Sequence, residues 1–374
     1  MGGENPGLIV TILAFVLTIG TLVFVHEMGH YLAGRWFGVH AERFSIGFGK
    51  ELFGWTDRRG TRWKVATLPL GGYVQFAGDM DASSRPAAEW EAMPAAERAR
   101  TFPAKPLWQR AIIVAAGPAI NFLFAILLIA GFLLVYGQAV TPTRVEGIEA
   151  SSPAARMGLT DGDVITRFAG QKVDSFEEMA SEIAMRPGEA VTVEVERDGA
   201  TRTLSGAVGE RFEEDRFGNR YRIGLMGIPW PKPETRPVSL IEAPIIATAK
   251  TVDIVRMIVT TLGQVVTGRR PIEELGGPLK IAQVSGEQLN AGIPAFIAFI
   301  ALISINLGFI NLLPIPMLDG GHLLLYAIEA IRQRPASPDT QEWAFRAGFA
   351  LVVGFMLLVT FNDLSSFGLF RSQP

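Results

Sequence analysis

The sequence predicts a polytopic α-helical membrane protein with four transmembrane helices, a β-rich connector after the first helix and one extracytoplasmic α+β domain after the second. Three observations predict this fold class. Only 19% of the 374 residues are charged while 49% are hydrophobic, four long stretches are free of charge, and the sequence between the second and third stretches is charged and rich in turns. A hydrocarbon core of about 30 Å needs roughly 20 apolar helical residues, so each stretch is a candidate span.

Composition also excludes several classes of function. The 34 basic and 37 acidic residues leave a formal charge of −3, so the chain lacks the basic excess typical of nucleic-acid binding, and we expect no nucleic-acid partner. The sequence contains no cysteine, which excludes disulfides, a thiol nucleophile and cysteine metal sites.

The four apolar stretches differ in length, and the last is the shortest. They are Leu8–Val25, which continues to Trp36, then Ala111–Val135, Ile293–Leu318 and Ala347–Phe361. The first could be mistaken for a cleaved signal peptide. Its leader carries Glu4 and no basic residue, and no small-residue cleavage site follows it, so we expect a retained helix.

These stretches divide the chain into segments of alternating location. Helices are predicted over 1–36, 107–137, 291–320 and 344–363, with a connector over 37–106, a domain over 138–237, an amphipathic helix and linker over 238–290, a loop over 321–343 and a tail over 364–374. The connector region carries twelve basic and eight acidic residues between Arg35 and Arg110, and no basic residue precedes the first helix. Basic loops stay in the cytoplasm, so the N-terminus, the domain and the C-terminus are predicted to be extracytoplasmic.

The strongest chemical signal is the H-E-x-x-H pattern His26-Glu27-Met28-Gly29-His30, at the cytoplasmic end of the first span. Two imidazoles at positions i and i+4 project from one helix face and can both bind a tetrahedral zinc ion. The intervening Glu27 is then placed to take a proton from water. Because only four histidines occur in the chain, this pairing predicts a zinc site.

A catalytic zinc ion takes three protein ligands, so a third ligand is expected elsewhere in the chain. Asp319 closes the third apolar stretch at the same predicted cytoplasmic depth as His26 and His30. The prolines and glycines around it break the helix and free backbone groups that must face protein or water. His322 is an alternative ligand, whereas His40 lies in polar sequence and is interpreted as a surface or packed residue.

Residues 138–237 have the sequence pattern of a separate soluble domain. Ser152–Leu159 is predicted as a helix, Asp163–Ile165 as the start of a strand and Phe176–Met185 as a second helix. The alternating run Val191–Arg197 is a strand that ends in the Asp198-Gly199 turn. The pattern resembles a PDZ domain of the bacterial protease type, which implies a groove for an extended peptide ligand. Steric exclusion of bulky proteins is an equal alternative.

The apolar run from Ile241 to Gly268 is interrupted by Lys250, Asp253 and Arg256 within two turns. This spacing favours an amphipathic helix that lies in the membrane interface over a fifth span. A helix packed against the spans is the alternative.

Taken together, the motifs resemble the site-2 protease family of intramembrane zinc metalloproteases, in its RseP-type bacterial branch. The resemblance covers almost the whole chain and includes one PDZ-type domain, where longer members have two. Its motifs, besides His26–His30, are Glu42–Gly49, Pro69–Val74, Ala116–Asn121, Gly277-Pro278, Asn311–Gly320 and Phe361–Asp363.

The resemblance implies a cofactor, a set of site residues and a substrate class. It implies that Zn²⁺ is bound by His26, His30 and Asp319, that Glu27 is the general base, and that Asn306 and Asn311 line the substrate path. It also implies that residues 62–76 form a membrane-associated β-element near the site. An edge strand there is a candidate for pairing with the unwound substrate, and a plain cytoplasmic hairpin that covers the helix ends is the alternative. The expected substrates are single-span membrane proteins such as anti-sigma factors, cleaved in the bacterial inner membrane during regulated intramembrane proteolysis and stress responses.

Two other classes of function are weighed against this one. The first is a membrane scaffold or chaperone in which the PDZ-type domain captures peptides and the zinc site is structural. An intact Glu27 and a third span broken by prolines favour the protease, because a closed structural site needs neither. The second is a zinc transporter, which would need several intramembrane acids or histidines rather than a single cluster.

Overall fold

The computed structural model describes residues 7–78, 93–214, 220–268, 276–334 and 337–366. The tail predicted over 364–374 lies outside these residues beyond position 366. The chain forms two compact units. Unit 1 comprises Met1–Phe132 and Leu240–Pro374, and unit 2 comprises Leu133–Ser239.

The helices and strands are numbered in chain order. The helices are α1 (Leu8–Trp36), α2 (Ala95–Arg98), α3 (Leu107–Tyr136), α4 (Pro153–Met157), α5 (Phe176–Ala184), α6 (Glu242–Val266), α7 (Pro278–Ala291), α8 (Ile293–Asn311), α9 (Asp319–Arg332) and α10 (Pro338–Ser366). The strands are β1 (Ala41–Thr56), β2 (Arg62–Phe76), β3 (Gln138–Val140), β4 (Val164–Phe168), β5 (Gln171–Lys172), β6 (Ala190–Arg197), β7 (Ala200–Ala207), β8 (Gly209–Glu214), β9 (Arg220–Leu225) and β10 (Glu234–Arg236).

Four helices in the described residues are long and apolar enough to cross a membrane: α1, α3, α8 and most of α10. Two differ from the predicted bounds: α10 begins at Pro338 rather than at residue 344, and α8 ends early. Helix α8 ends at Asn311 instead of running to residue 320, because Pro314 and Pro316 cannot continue the helical hydrogen bonds. Asp319 therefore opens α9 rather than closing the third span, and α9 occupies part of the predicted loop 321–343.

Strands β1 and β2 form a long hairpin in which each strand folds back on itself, so that 43–46 runs antiparallel to 72–75 and parallel to 62–65. The register pairs residues 43–46 of β1 with both 62–65 and 72–75 of β2. Residues 62–66 also pair with residues 51–56. The hairpin therefore has four segments, in the order 51–56, 62–66, 41–46 and 72–76, and the last of these is an edge. Phe44, Trp63 and Tyr31 of α1 form a ring cluster that holds the hairpin against the first helix.

The segment between unit 2 and α8 contains two helices, whereas the sequence predicts one helix and a linker. Ile254, Val255 and Ile258 of α6 pack against a cluster formed by Ala125 of α3 and Ala301 and Ile305 of α8. The sequence favours an amphipathic helix in the membrane interface over a helix packed on the spans. This contact corresponds to the second of these two alternatives. The second helix, α7, starts at Pro278 and contacts α1, α8 and α10.

A buried carboxylate from another helix satisfies the first turn of α7. Asp363 of α10 is only 3% exposed, and its oxygens accept hydrogen bonds from the backbone N–H groups of Gly277, Leu279 and Lys280 at 3.0–3.1 Å. The N-terminal N–H groups of a helix have no partner within the helix and attract negative charge. This cap joins the Gly277-Pro278 and Phe361–Asp363 motifs, which are far apart in the sequence.

Unit 2 contains two short helices and three sheets. Its largest sheet has the order β5-β4-β6-β7, and the pairs β3–β10 and β8–β9 are separate. Helices α4 and α5, strand β6 and the turn at Asp198-Gly199 lie where the sequence pattern predicts them. The N-cap hydroxyls of Ser152 and Ser175 accept hydrogen bonds from the first turns of these helices. The core contains Ile165, Phe168, Phe176, Met179, Val193 and Val195, all less than 5% exposed.

A buried ion pair closes one end of this core. Asp163 is fully buried and accepts hydrogen bonds from Arg197 Nε and Nη2, at 2.7 and 2.8 Å, and from the backbone N–H of Thr160, at 2.9 Å. Burial disfavours the charged form of Asp163, but these hydrogen bonds favour it more strongly. The pKa of Asp163 therefore lies below its ordinary value.

Replacing Asp163 by asparagine is expected to destabilise unit 2 by about 1–3 kcal/mol at neutral pH, because Arg197 and Thr160 lose a charged acceptor. A carboxylate with a lowered pKa stabilises the fold above its unfolded pKa of about 3.9, and this contribution is lost as the pH falls through the folded value. The difference between wild type and variant should therefore disappear in acid. This stability difference is measured by hydrogen exchange of the β4 and β6 amides in the full chain at several pH values.

Asp174→Asn is the matched control for this prediction, since the exposed side chain of Asp174 pairs with the exposed Lys172 and not with the buried core. Its exchange should equal that of the wild type at every pH. A destabilisation by Asp163→Asn that stays constant down to about pH 2 would contradict the assigned role of the carboxylate.

Candidate metal centre

Helix α1 presents His26, Glu27 and His30 to the interior of unit 1. The helix continues without a break from Leu8 to Trp36, so the i and i+4 spacing places both imidazoles on one face. Their rings lie 4.8 Å apart, and Nε2 of His26 lies 3.2 Å from Nε2 of His30. Both histidine side chains are 12% exposed, and Glu27 is 8% exposed.

A sharp break between α8 and α9 delivers the carboxylate of Asp319. Met317 has a positive φ of 89°, which reverses the chain immediately before the N-cap Leu318. A residue other than glycine adopts this conformation only when its surroundings hold it there. Asp319 occupies the first turn of α9, and its side chain, 17% exposed, points towards the two histidines.

The three candidate ligand atoms form a nearly equilateral triangle. Asp319 Oδ2 lies 3.2 Å from His26 Nε2 and 3.5 Å from His30 Nε2, and the third side is the 3.2 Å between the two nitrogens. A tetrahedral zinc ion with bonds of about 2.0–2.1 Å separates its ligands by about 3.3 Å. Asp319 Oδ2 is buried and accepts no hydrogen bond from the described residues. The triangle therefore fits a zinc ion, whose charge such an oxygen requires.

The outer nitrogens of the two imidazoles both face helix α3. Nδ1 of His30 donates a hydrogen bond to the carbonyl oxygen of Ile113 at 2.9 Å, which leaves a lone pair on Nε2 for a metal ion. Nδ1 of His26 lies 3.0 Å from the amide of Asn121. Gly117 of α3 permits the close approach of the His30 ring to that helix, because a Cβ atom at this position would lie 2.2 Å from His30 Nε2.

Glu27 lies against the edge segment of the hairpin. A Cβ atom at Gly72 of this segment would lie only 3.1 Å from Glu27 Cγ. The close contact depends on Gly72, where a Cβ atom would lie 2.6 Å from both Val23 Cγ1 and the carbonyl oxygen of Ser45. Glu27 of α1 and strand β2 therefore pack closely together beside the three candidate ligand atoms.

These groups open into a cavity of about 660 Å³ within unit 1. Its wall includes His26, Glu27, His30, Gly72, Tyr73, Val74, Gln75, Asn311, Asp319 and His322. Polar groups and the triangle of ligand atoms thus share one space with the backbone of an edge strand.

The structure separates the remaining predicted site residues. Asn311 lies in the cavity wall, whereas Asn306 is half-buried on α8 and is not among the residues that line the cavity. His322 lines the cavity beside Phe345 but does not belong to the cluster of His26, His30 and Asp319. His40 lies near Gly60, away from the ligand triangle.

Sequence reasoning assigned no role to the groups that hold the ligand-bearing elements in place. Arg110 of α3 donates to Glu329 of α9 at 2.8 Å, and its guanidinium lies 5.0 Å from the ring centre of Tyr326. This contact fixes α9, and with it Asp319, against the helix that carries Asn121. No local spacing in the sequence indicates this role of Arg110, because its partners lie more than two hundred residues away.

Comparison with solved structures finds short matches, among them a PDZ domain and an HtrA-type protease. The PDZ domain of an SdrC-like protein from Listeria monocytogenes is 20% identical, and the match covers 22% of this chain and 84% of that chain with a TM-score of 0.18. An HtrA-type protease AlgW with a decapeptide is 35% identical over 18% of this chain and 21% of that chain, also with a TM-score of 0.18.

Comparison with sequences finds matches over nearly the whole chain. "Putative zinc metalloprotease Atu1380" of Agrobacterium fabrum is 43% identical, and the match covers 95% of this chain and 96% of that protein. "Metalloprotease MmpA" of Caulobacter vibrioides is 38% identical over 98% of both chains. The model of peptidase family M50 matches residues 14–355. The chain therefore belongs to peptidase family M50 and is a zinc metalloprotease.

Proposed function

We propose that this metalloprotease cleaves single-span membrane proteins within their apolar segment, as a site-2 protease of regulated intramembrane proteolysis. One observation carries the proposal: the triangle of His26, His30 and Asp319 and the acid Glu27 share a cavity in the unit that contains the four apolar helices. Four such helices and the family fit a multi-pass membrane protein. A polar cluster at membrane depth is expected to be functional.

In the proposed reaction, His26, His30 and Asp319 hold the zinc ion and Glu27 moves the proton. The chemistry that zinc supplies is Lewis acidity, which polarises a peptide carbonyl and lets water lose a proton near neutral pH. Glu27 takes that proton as the water oxygen bonds to the carbonyl carbon. The C–N bond then breaks, and Glu27 returns the proton to the leaving nitrogen.

The edge segment 72–76 is proposed to bind the substrate as an added strand. A transmembrane helix satisfies its own backbone hydrogen bonds, so cleavage requires an unwound segment that finds new partners. Gly72–Gln75 lies at the sheet edge and in the cavity wall, where an extended segment can pair with backbone groups. Asn311, which also lines the cavity, is proposed to hydrogen-bond the same segment. Asn306, outside the cavity wall, is proposed only as a residue further along the path.

Unit 2 is proposed to be an extracytoplasmic PDZ-type domain, and the protein to reside in the inner membrane with both termini outside. The support is the helix and strand order of unit 2 and the basic residues that follow the first span. Such a domain binds an extended peptide or excludes substrates with bulky outer domains. Either action would limit cleavage to proteins already shortened by another protease, and anti-sigma factors belong to this substrate class.

The test uses the purified full chain in detergent with a tagged single-span substrate, with and without its outer domain. Truncated substrate should be cut inside its apolar segment, which mass spectrometry of the products locates, and a zinc chelator should abolish the cut until zinc is restored. Products that end only in polar loops would contradict intramembrane cleavage. Equal cleavage of both substrates would instead contradict the size or peptide filter in unit 2.

A further inference from the structure

The amide of Asn121 lies beside the first metal ligand, in the middle of helix α3. Asn121 is fully buried, and one atom of its amide lies 3.0 Å from Nδ1 of His26. The other nitrogen of that imidazole, Nε2, is one corner of the ligand triangle. The two sides of a single ring thus face a candidate zinc position and a buried amide.

Zinc binding dictates which hydrogen bond this ring can make. An imidazole that ligates through Nε2 has its proton on Nδ1, so Nδ1 donates and needs an acceptor. His30 follows this rule, because its Nδ1 donates to the carbonyl oxygen of Ile113. For His26 the group within reach is the amide of Asn121, which contains one acceptor and one donor.

The amide must turn its oxygen to His26 to serve this role. Nδ2 of Asn121 is the atom at 3.0 Å, and Oδ1 is buried without a hydrogen-bond partner among the described residues. Rotation of the amide by half a turn exchanges two atoms of nearly equal size. It gives Oδ1 the Nδ1 proton of His26 and removes the competition between an Asn121 donor and zinc ligation.

We propose that Asn121 is a positioning residue for the metal centre: its amide oxygen accepts the Nδ1 proton of His26 and thereby holds that imidazole in the form that binds zinc through Nε2. The inference rests on the proposed zinc ligands. The backbone of Asn121 is itself held, because its carbonyl oxygen accepts a hydrogen bond from Oγ of the buried Ser304 on α8 at 2.8 Å. Asn121 therefore connects α1, α3 and α8 at the level of the site.

Two substitutions test the acceptor, and a third tests packing. Asn121→Leu keeps the branched shape and removes the acceptor. Asn121→Asp keeps an acceptor and has no donor, so it can only accept from His26. Ser304→Ala removes the neighbouring helix contact and leaves the amide in place. Zinc affinity of each purified full-length variant is measured by competition with a chelator, and the visible spectrum of the cobalt-substituted protein reports the ligand geometry.

We expect Asn121→Leu to weaken zinc binding by about 10–100-fold and to alter the cobalt spectrum, as loss of a ligand's outer hydrogen-bond partner does. Asn121→Asp and Ser304→Ala should stay within about threefold of wild type, a spread small beside that loss. Wild-type affinity in Asn121→Leu would overturn the inference, and so would a folded Asn121→Asp as weak as Asn121→Leu. If the wild type itself bound no zinc, the proposed ligand set would fail first, which distinguishes the two failures.

Discussion

Glu27→Gln is expected to reduce peptide-bond cleavage by at least about 10²–10⁴-fold, the contribution typical of a general base, while the chain keeps its zinc. Glutamine has nearly the shape of glutamate and can occupy the same space, but its amide cannot take a proton from water. The three ligand atoms do not involve Glu27, so zinc content should be unchanged. Cleavage rates and bound zinc are measured on the same preparation.

Glu42→Gln is the matched control, because Glu42 lies on β1 and is not among the residues that line the cavity. This variant should cleave at the wild-type rate. Glu27→Gln with more than about a tenth of wild-type activity would remove Glu27 from the mechanism, since a lost general base costs far more. Loss of zinc in Glu27→Gln would instead indicate that this acid supports the metal centre.

Asp319→Asn is expected to weaken zinc binding by more than about 100-fold and to abolish cleavage with it. The loss should exceed the roughly 10–100-fold cost of removing an outer partner, because a ligand atom itself is replaced by a neutral amide. The competing ligand His322 is tested in the same series. His322→Ala should bind zinc nearly as the wild type does, since His322 stands outside the triangle.

Asp339→Asn serves as the control, because Asp339 is an exposed acid in the first turn of α10. Chelator competition should give it the wild-type affinity. The opposite pattern, with Asp319→Asn normal and His322→Ala deficient, would assign the third ligand to His322 and would require the cavity wall to move.

The parts that sequence reasoning predicted are those encoded by local spacing. The apolar lengths predicted the four long helices, and the i and i+4 spacing predicted that His26 and His30 share a face. In unit 2, helices α4 and α5 and strands β4 and β6 followed from helical periodicity, alternation and the Asp198-Gly199 turn. Each of these signals lies within one continuous segment of at most about 30 residues, so it can be recognised in a single sequence.

The elements that were missed depend on partners distant in the chain. Helix α7 has modest hydropathy, and its first turn is capped by Asp363, so only the folded chain shows why it forms there. The place of Asp319 was predicted at the end of a span, but the Pro314 and Pro316 break moved it to the start of α9. The contact of Asn121 with His26 joins two helices, and no spacing within either helix encodes it.

The ligand triangle has a consequence for how the enzyme is made. His26 and His30 are synthesised and inserted with the first helix, whereas Asp319 follows only after α3, all of unit 2 and α6, α7 and α8. A ribosome-bound or prematurely ended chain that stops before α9 has two of the three candidate ligands and should hold zinc poorly. The protease is therefore expected to become active only after α9 has been synthesised, since a chain without Asp319 lacks the third candidate ligand.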